Sequence, residues 1–291
     1  MTHQKSRSLS PKRGGAWLLA VGVLVAGSLA FDVRAQYGTP NGEQPNSAAT
    51  RPAARQSTEM MTASDEPESR RRARIRLTLA IGYFEQGKTT VALDELKQVL
   101  VIDPAFAEAY DLRGLIYMRL NDPVLAEESF RKAISLNPRD ANVLHNYGWF
   151  LCQGQRYAEA KKMFDEVMGH PLYPERAKTL LAQGICEARE GRMAEAERSL
   201  LRSYELDAGN PVTGYNLATL LYQRGDYEKA QFYIRRLNNS ALANAESFWL
   251  GVKVERKMNN QEAMLQLVTQ LKRRYPQSRE AQAYDRGAFD E

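Results

Sequence analysis

Residues 107–138 read AEAYDLRGLIYMRLNDPVLAEESFRKAISLNP, and this stretch decides the fold. It places the small Gly114 about twelve residues before Ala126, and the large Phe130 follows four residues later. The same order recurs along the chain at a spacing of about 34 residues. The small positions are Ala80, Gly114, Gly148, Gly184, Ala218 and Gly251; the alanines are Ala92, Ala126, Ala160, Ala196, Ala230 and Ala263; the large positions are Leu96, Phe130, Phe164, Leu200, Ile234 and Leu267. This regularity predicts one supersecondary unit repeated six times in tandem.

The period and the pattern resemble the tetratricopeptide repeat, a hairpin of two helices. The small residues are expected to let the two helices of a unit approach closely, and the large residues to fill the space between successive units. Because no such unit buries its apolar face alone, the units have to stack. The sequence therefore predicts an all-α tetratricopeptide-repeat solenoid of about six helix-turn-helix repeats. Its twelve antiparallel helices are expected to form a right-handed superhelix, with the first helix of each unit on the concave side.

The sequence divides into four parts. Residues 1–35 have a basic head, an apolar run from Ala16 to Phe31 and the small-residue pattern Val33-Arg34-Ala35, which is typical of a cleaved secretory signal. An uncleaved inner-membrane anchor is the alternative, although the run is short for a membrane span of about 20 residues. Residues 36–69 contain almost no large aliphatic side chains and are predicted to be a disordered linker. Residues 70–276 hold the six repeats, and residues 277–291 form a C-terminal tail.

Charge gives no indication of nucleic acid as a partner. The chain has 40 basic and 35 acidic residues, but residues 1–35 account for five of the basic residues and one of the acidic ones. The remaining 35 basic and 34 acidic residues nearly balance, so the high isoelectric point is largely a property of the predicted signal.

The sequence contains little that could perform catalysis. Its three histidines are His3, His145 and His170, and the first lies in the predicted signal. Paired metal-ligand motifs, a phosphate-binding loop and a nucleophile elbow are all absent from the sequence. We therefore expect a protein that is not an enzyme and that uses no metal, cofactor or small-molecule substrate.

The two cysteines occupy similar heights in neighbouring units. Cys152 comes late in the first helix of unit three, and Cys186 in the first helix of unit four. Since packed helices lie about 8–10 Å apart, the Cα atoms could fall within the 4.4–6.8 Å that a disulfide requires. Export would place the thiols in an oxidising compartment. We favour a disulfide; two buried free thiols are the alternative.

One run of residues is more specific than the repeat itself. Residues 145–152, His-Asn-Tyr-Gly-Trp-Phe-Leu-Cys, are followed by Pro171-Leu172-Tyr173-Pro174 and by Gly184-Ile185-Cys186. This arrangement resembles the type IV pilus biogenesis/stability family (PilF/PilW), and the resemblance covers residues 70–276. It implies an accessory protein of the periplasm or outer membrane that assists localisation and multimerisation of the outer-membrane secretin and supports pilus stability and twitching motility.

The amino-terminal sequence departs from that family. Family members are usually outer-membrane lipoproteins, and Val25-Ala26-Gly27 is a suitable lead-in to a lipoprotein processing site. The next residue, however, is Ser28, and no cysteine precedes Cys152. We therefore expect an exported periplasmic protein that is held at the outer membrane by its partners.

The concave groove is the expected working surface. Asn146 and Asn216 occupy positions that often fix a peptide main chain in related scaffolds. The expected partners are the secretin and other type IV pilus proteins; a different periplasmic adaptor, serving cell-envelope assembly or cell-wall enzymes, is the alternative. Projecting the repeat onto the groove gives Phe84, Asp111, Leu115, Met118, Arg119, His145, Asn146, Trp149, Gln153, Lys178, Arg189, Tyr215, Asn216 and Tyr222.

Overall fold

The computed structural model describes residues 66–289, which form thirteen α-helices and no strand. The predicted signal and almost all of the predicted linker lie outside the described residues. The first helix begins at Glu68, two residues before the predicted start of the repeats. Units one to six are α1 Glu68–Glu85 with α2 Thr89–Ile102, α3 Ala107–Arg119 with α4 Pro123–Leu136, α5 Ala141–Gln153 with α6 Tyr157–Met168, α7 Arg176–Arg189 with α8 Met193–Leu206, α9 Pro211–Gln223 with α10 Tyr227–Asn238, and α11 Ala245–Lys257 with α12 Gln261–Arg274; α13 is Arg279–Asp285.

The small residues of the repeat mark close contacts within each hairpin. A Cβ atom added at Gly114 would lie 2.7 Å from the Phe130 ring, and one at Gly184 would lie 2.7 Å from Leu200 Cγ. The large residues therefore fill the space opposite the small residue of their own unit. Phe130 also contacts the next unit, where its ring centroid lies 5.7 Å from that of Phe150. The large residues thus pack within their own unit as well as between units, and only the second role was predicted.

Each hairpin turn contains one residue with a left-handed backbone. Glycine adopts that conformation readily, and asparagine tolerates it better than most residues. The sixth turn, which lacks glycine, uses Asn259 with a φ of 56°, and the third uses Gln155 with a φ of 60°. The six positions are Gly87, Asn121, Gln155, Gly191, Gly225 and Asn259. One conformation thus joins the two helices of every unit, although the residue type varies.

The units stack through two sets of contacts. Each second helix packs against the first helix of the following unit, and neighbouring first helices also contact one another. Neighbouring second helices make no comparable set of contacts within the described residues, so the first helices lie closer together, which is the arrangement expected of the inner side of the stack. The longer connection between α6 and α7 folds inward at Tyr173, which packs with Leu144 and Val167.

The last unit is closed by α13 and the residues after it. α13 contacts both α11 and α12, so it covers the apolar face that a seventh unit would otherwise cover. Beyond α13, Phe289 stacks on Trp249 with ring centroids 5.2 Å apart. The groove is therefore occupied at unit six by the chain itself.

Candidate functional site: the concave groove

A disulfide links the first helices of units three and four. Cys152 on α5 and Cys186 on α7 are joined, with their Cα atoms 5.8 Å apart, and both residues are buried. The bond joins the two helices at the middle of the solenoid.

Four buried polar residues connect three successive first helices; we call Asp111, His145, Asn146 and Thr179 the central cluster. Asn146 Nδ2 donates a hydrogen bond to Asp111 Oδ2 at 2.8 Å, from α5 to α3. His145 Nδ1 lies 2.9 Å from Thr179 Oγ1, from α5 to α7. Because hydrogen bonds satisfy buried polar groups only in a correct geometry, these contacts help to fix the register of units two, three and four.

The surroundings of His145 favour the neutral form of its imidazole. Burial lowers the pKa of its imidazole well below the usual value, and the positive charge of Lys178 lowers it further. Within residues 66–289, no group of three or more metal-ligating side chains could hold an ion. In the same residues no helix has both the length and the apolar character needed to cross a membrane. All four residues of the central cluster are buried, so its hydrogen bonds act within the protein.

Two arginines of the groove stack on aromatic rings of the preceding unit; we call Arg119–Phe84 and Arg189–Trp149 the rim pairs. The guanidinium carbon of Arg119 lies 4.7 Å from the centre of the Phe84 ring, and that of Arg189 lies 5.3 Å from the Trp149 ring. Arg119 Nη1 also donates a hydrogen bond to the Phe84 carbonyl oxygen at 2.7 Å. Stacking of this kind fixes the plane of a guanidinium group while its edges remain able to donate.

The structure divides the predicted groove residues by exposure. Asp111, Leu115, His145, Asn146 and Trp149 are buried, which corrects the expectation that the whole set lines an open surface. The half-buried members are Phe84, Met118, Lys178, Arg189, Tyr215, Asn216 and Tyr222, and the exposed ones are Arg119 and Gln153.

Three of these residues also differ from expectation in detail. The amide of Asn146 donates to Asp111, and that of Asn216 donates to the Val212 carbonyl oxygen of its own helix at 2.8 Å. Each amide is thus used within the protein and not directed at a main chain in the groove. Burial raises the pKa of Tyr215 to about 12, so its hydroxyl is largely withdrawn from water.

The hydrogen bonds between side chains of neighbouring units and the contact of Arg119 with Phe84 were not identified from the sequence, although a signal for them exists. Asp111 and Asn146 are 35 residues apart, as are Phe84 and Arg119, and His145 and Thr179 are 34 apart. In a solenoid with this period, residues separated by one period, or by one residue more, lie side by side on neighbouring first helices. Searching the sequence for complementary pairs at that separation would have found them.

Known proteins share these repeats. Family models described as TPR repeat and tetratricopeptide repeat match residues 83–121, 107–140, 129–162 and 151–211. The chain is 32% identical over 208 residues to the type IV pilus assembly protein PilF of Pseudomonas aeruginosa, which covers 72% of this chain and 82% of that protein.

Solved structures agree with this relationship. The structure of Pseudomonas aeruginosa PilF matches with a TM-score of 0.67 at 31% identity, over 76% of this chain and all of that one. The crystal structure of PilW, a type IV pilus biogenesis factor, matches with a TM-score of 0.69 at 31% identity, over 73% of this chain and 97% of that one. The similarity thus extends over nearly the full length of both relatives.

Proposed function

This chain belongs to the PilF/PilW family of type IV pilus tetratricopeptide-repeat proteins, and from this premise we propose that it is a non-catalytic adaptor that assists the outer-membrane secretin to localise and multimerise. Pilus assembly, pilus stability and twitching motility would then depend on it. The observation that supports the proposal is the extent of the similarity, which includes almost all of both relatives and about three quarters of this chain.

The groove supplies a mechanism for such an adaptor. A partner segment would lie along the first helices, where the rim pairs and the half-buried Met118 and Tyr222 offer cationic and apolar contacts. The disulfide and the central cluster hold α3, α5 and α7 in register before the partner arrives. A preformed surface of this kind loses less conformational entropy on binding, so more of the interaction energy appears as affinity.

The proposed location is the periplasm, with attachment to the outer membrane through the partners. Ser28 occupies the place where a lipidated cysteine would be expected, which supports attachment through protein contacts. An uncleaved inner-membrane anchor is the alternative. The mass of the protein isolated from its own cells distinguishes the two: cleavage gives an amino terminus at Gln36, whereas an anchored protein retains residues 1–35.

A second candidate function is that of a periplasmic adaptor for other cell-envelope assembly or for cell-wall enzymes. It would use the same fold and the same groove, so the partner has to decide between the two functions. Affinity capture with the purified chain from outer-membrane extracts makes that test. We expect the secretin among the captured proteins, and its absence, together with capture of a cell-wall enzyme, would favour the second candidate.

A further inference from the structure

We propose that the two rim pairs are carboxylate anchors and that they select an extended acidic segment of the partner. The proposal deepens the proposed function, because it takes the groove as the working surface and names the chemistry that the groove recognises. It rests on the placement of Arg119 and Arg189, on their missing counter-charges and on the distance between them.

Arg189 is a half-buried cation without a counter-charge. No carboxylate of residues 66–289 forms an ion pair with it, and burial lowers its pKa. Several other half-buried arginines of the described residues do have acidic partners: Arg156, for example, bonds to Glu127 and Glu159. A desolvated charge costs free energy until an opposite charge reaches it. A carboxylate arriving at the groove would remove that cost and accept hydrogen bonds from the guanidinium group.

Arg119 offers a second anchor of the same kind. Its side chain is exposed, no carboxylate of residues 66–289 forms an ion pair with it, and Phe84 fixes it through both its ring and its carbonyl oxygen. Since a guanidinium group carries five N–H donors and the carbonyl uses one, the others remain able to bind a carboxylate. The two anchors thus share one design, a cation fixed on an aromatic ring of the preceding unit.

The separation of the anchors sets the length of the segment. Arg119 lies on α3 and Arg189 on α7, with α5 between them. At about 8–10 Å between neighbouring helices, the two guanidinium groups are roughly 16–20 Å apart. An extended chain advances about 3.3 Å per residue, so two acidic residues about five or six positions apart would reach both anchors. Phe289 covers Trp249 in unit six, which leaves units one to five, and both rim pairs lie within units one to four.

The charge pattern favours a protein segment over nucleic acid or lipid. Nucleic-acid binding requires a series of cations along a phosphate backbone. Here two anchors stand apart, each against an aromatic ring. Isolated acidic side chains of an extended peptide match this arrangement.

Selection from a random 12-residue peptide library displayed on phage tests the proposal without assuming a partner. The purified full chain should enrich peptides that carry two acidic residues five or six positions apart. The double variant Arg119→Gln, Arg189→Gln should not enrich them. The matched control is Arg236→Gln, because Arg236 stacks on Tyr204 between second helices, outside the groove, with its guanidinium carbon 5.7 Å from the ring centre.

Affinity measurements then quantify each anchor. For an enriched peptide, each single arginine variant should raise Kd about tenfold or more, because a hydrogen bond to a charged group contributes about 1.5–3 kcal/mol. Arg236→Gln should leave Kd unchanged, and cooperative thermal melting of all variants would establish that they are folded. A compensating peptide, with lysine in place of the glutamate that faces position 189, should recover binding to Arg189→Glu.

Three results would overturn the proposal: no enrichment, enrichment of peptides without acidic residues, or equal enrichment by the double variant. Failure of the proposed function is a separate result. If acidic peptides are selected and depend on both arginines, but the secretin is not captured, the recognition chemistry stands and the partner is wrong.

Discussion

Gln155 is the one residue of the six hairpin turns that adopts a left-handed backbone without being glycine or asparagine. A left-handed conformation costs an ordinary L-residue about 1–2 kcal/mol. Glycine avoids that cost but loses about 0.5–1 kcal/mol of unfolded-state entropy. Substitution Gln155→Gly should therefore increase the free energy of unfolding by up to about 1 kcal/mol, measured by urea denaturation.

The equivalent glycines provide the matched control for that prediction. Gly191 has a φ of 89°, and no atom lies within 4 Å of a Cβ added at this position. Gly191→Gln is the reverse of Gln155→Gly: it places glutamine at a left-handed position. It should therefore lower the free energy of unfolding. Equal stability of wild type and Gly191→Gln would contradict the account of the turns.

His145 should make stability depend on pH. Its pKa is lowered in the folded protein, whereas in the unfolded chain it is about 6.5. Below about pH 6.5 the unfolded chain therefore binds a proton that the folded protein does not, and the free energy of unfolding falls as pH falls. At pH 5.5 it should be about 1 kcal/mol lower than at pH 7.5 on account of this residue.

The variant His145→Gln isolates that contribution. Its unfolding free energy should change less between pH 7.5 and 5.5 than that of the wild type, as measured by urea denaturation at both values. An identical pH dependence in His145→Gln and wild type would show that the imidazole is not held neutral.

Helix pairs are held at the distance that their small residues set. Gly114→Ala would force a Cβ atom to within 2.8 Å of several Phe130 ring atoms, so it should destabilise the protein by about 1–3 kcal/mol. Gly82 lies in α1 with no atom within 4 Å of an added Cβ. Gly82→Ala should be stabilising by up to about 1 kcal/mol, because alanine favours a helix more than glycine does. Similar melting temperatures for the two variants would contradict this account of the packing.

The disulfide between α5 and α7 should stabilise the folded protein. It closes a separation of 34 residues, for which the chain-entropy relation gives about 3–4 kcal/mol of stabilisation. Reduction should lower the melting temperature of the wild type and leave Cys152→Ala, Cys186→Ala unaffected. Thiol titration of the denatured, unreduced protein from its own cells should find no free thiol; two reactive thiols would refute the bond.

The twelve helices of the six repeats were predictable from the sequence, because the repeat period and the recurring small and large residues together specify a helical hairpin. The pairing of Cys152 with Cys186 followed from matched heights in neighbouring units, and the structure joins these two residues. The helix α1 begins two residues before the predicted start, because a repeat period specifies the spacing of the units and not the residue at which a helix begins.

The candidate groove was predicted less completely. A helical projection identifies which face a residue occupies, but not how closely the next unit approaches it. Asp111, Asn146 and Trp149 were therefore placed on the open surface although they are buried. The return of Phe289 to Trp249 could not be predicted either, since residues beyond the last repeat follow no period.

At the scale of the whole molecule, the six units form one continuous inner surface whose middle is fixed by a disulfide and a buried polar cluster. The exposed or half-buried residues of that surface are the ones to alter in a functional test. Arg119 is well suited because it is exposed: its substitution removes one hydrogen bond and the stack on Phe84, so it should lower the unfolding free energy by about 1–2 kcal/mol and leave the protein folded.

The most direct test of the adaptor function is the amount of multimeric secretin in outer-membrane extracts of cells that lack this chain. We expect deletion to reduce the multimers and the surface pili together. The wild type and Arg236→Glu should restore both, whereas Arg119→Glu should restore them poorly while remaining folded. Normal secretin multimers in the deletion strain would contradict the proposed function, and full restoration by Arg119→Glu would place the working surface outside the groove.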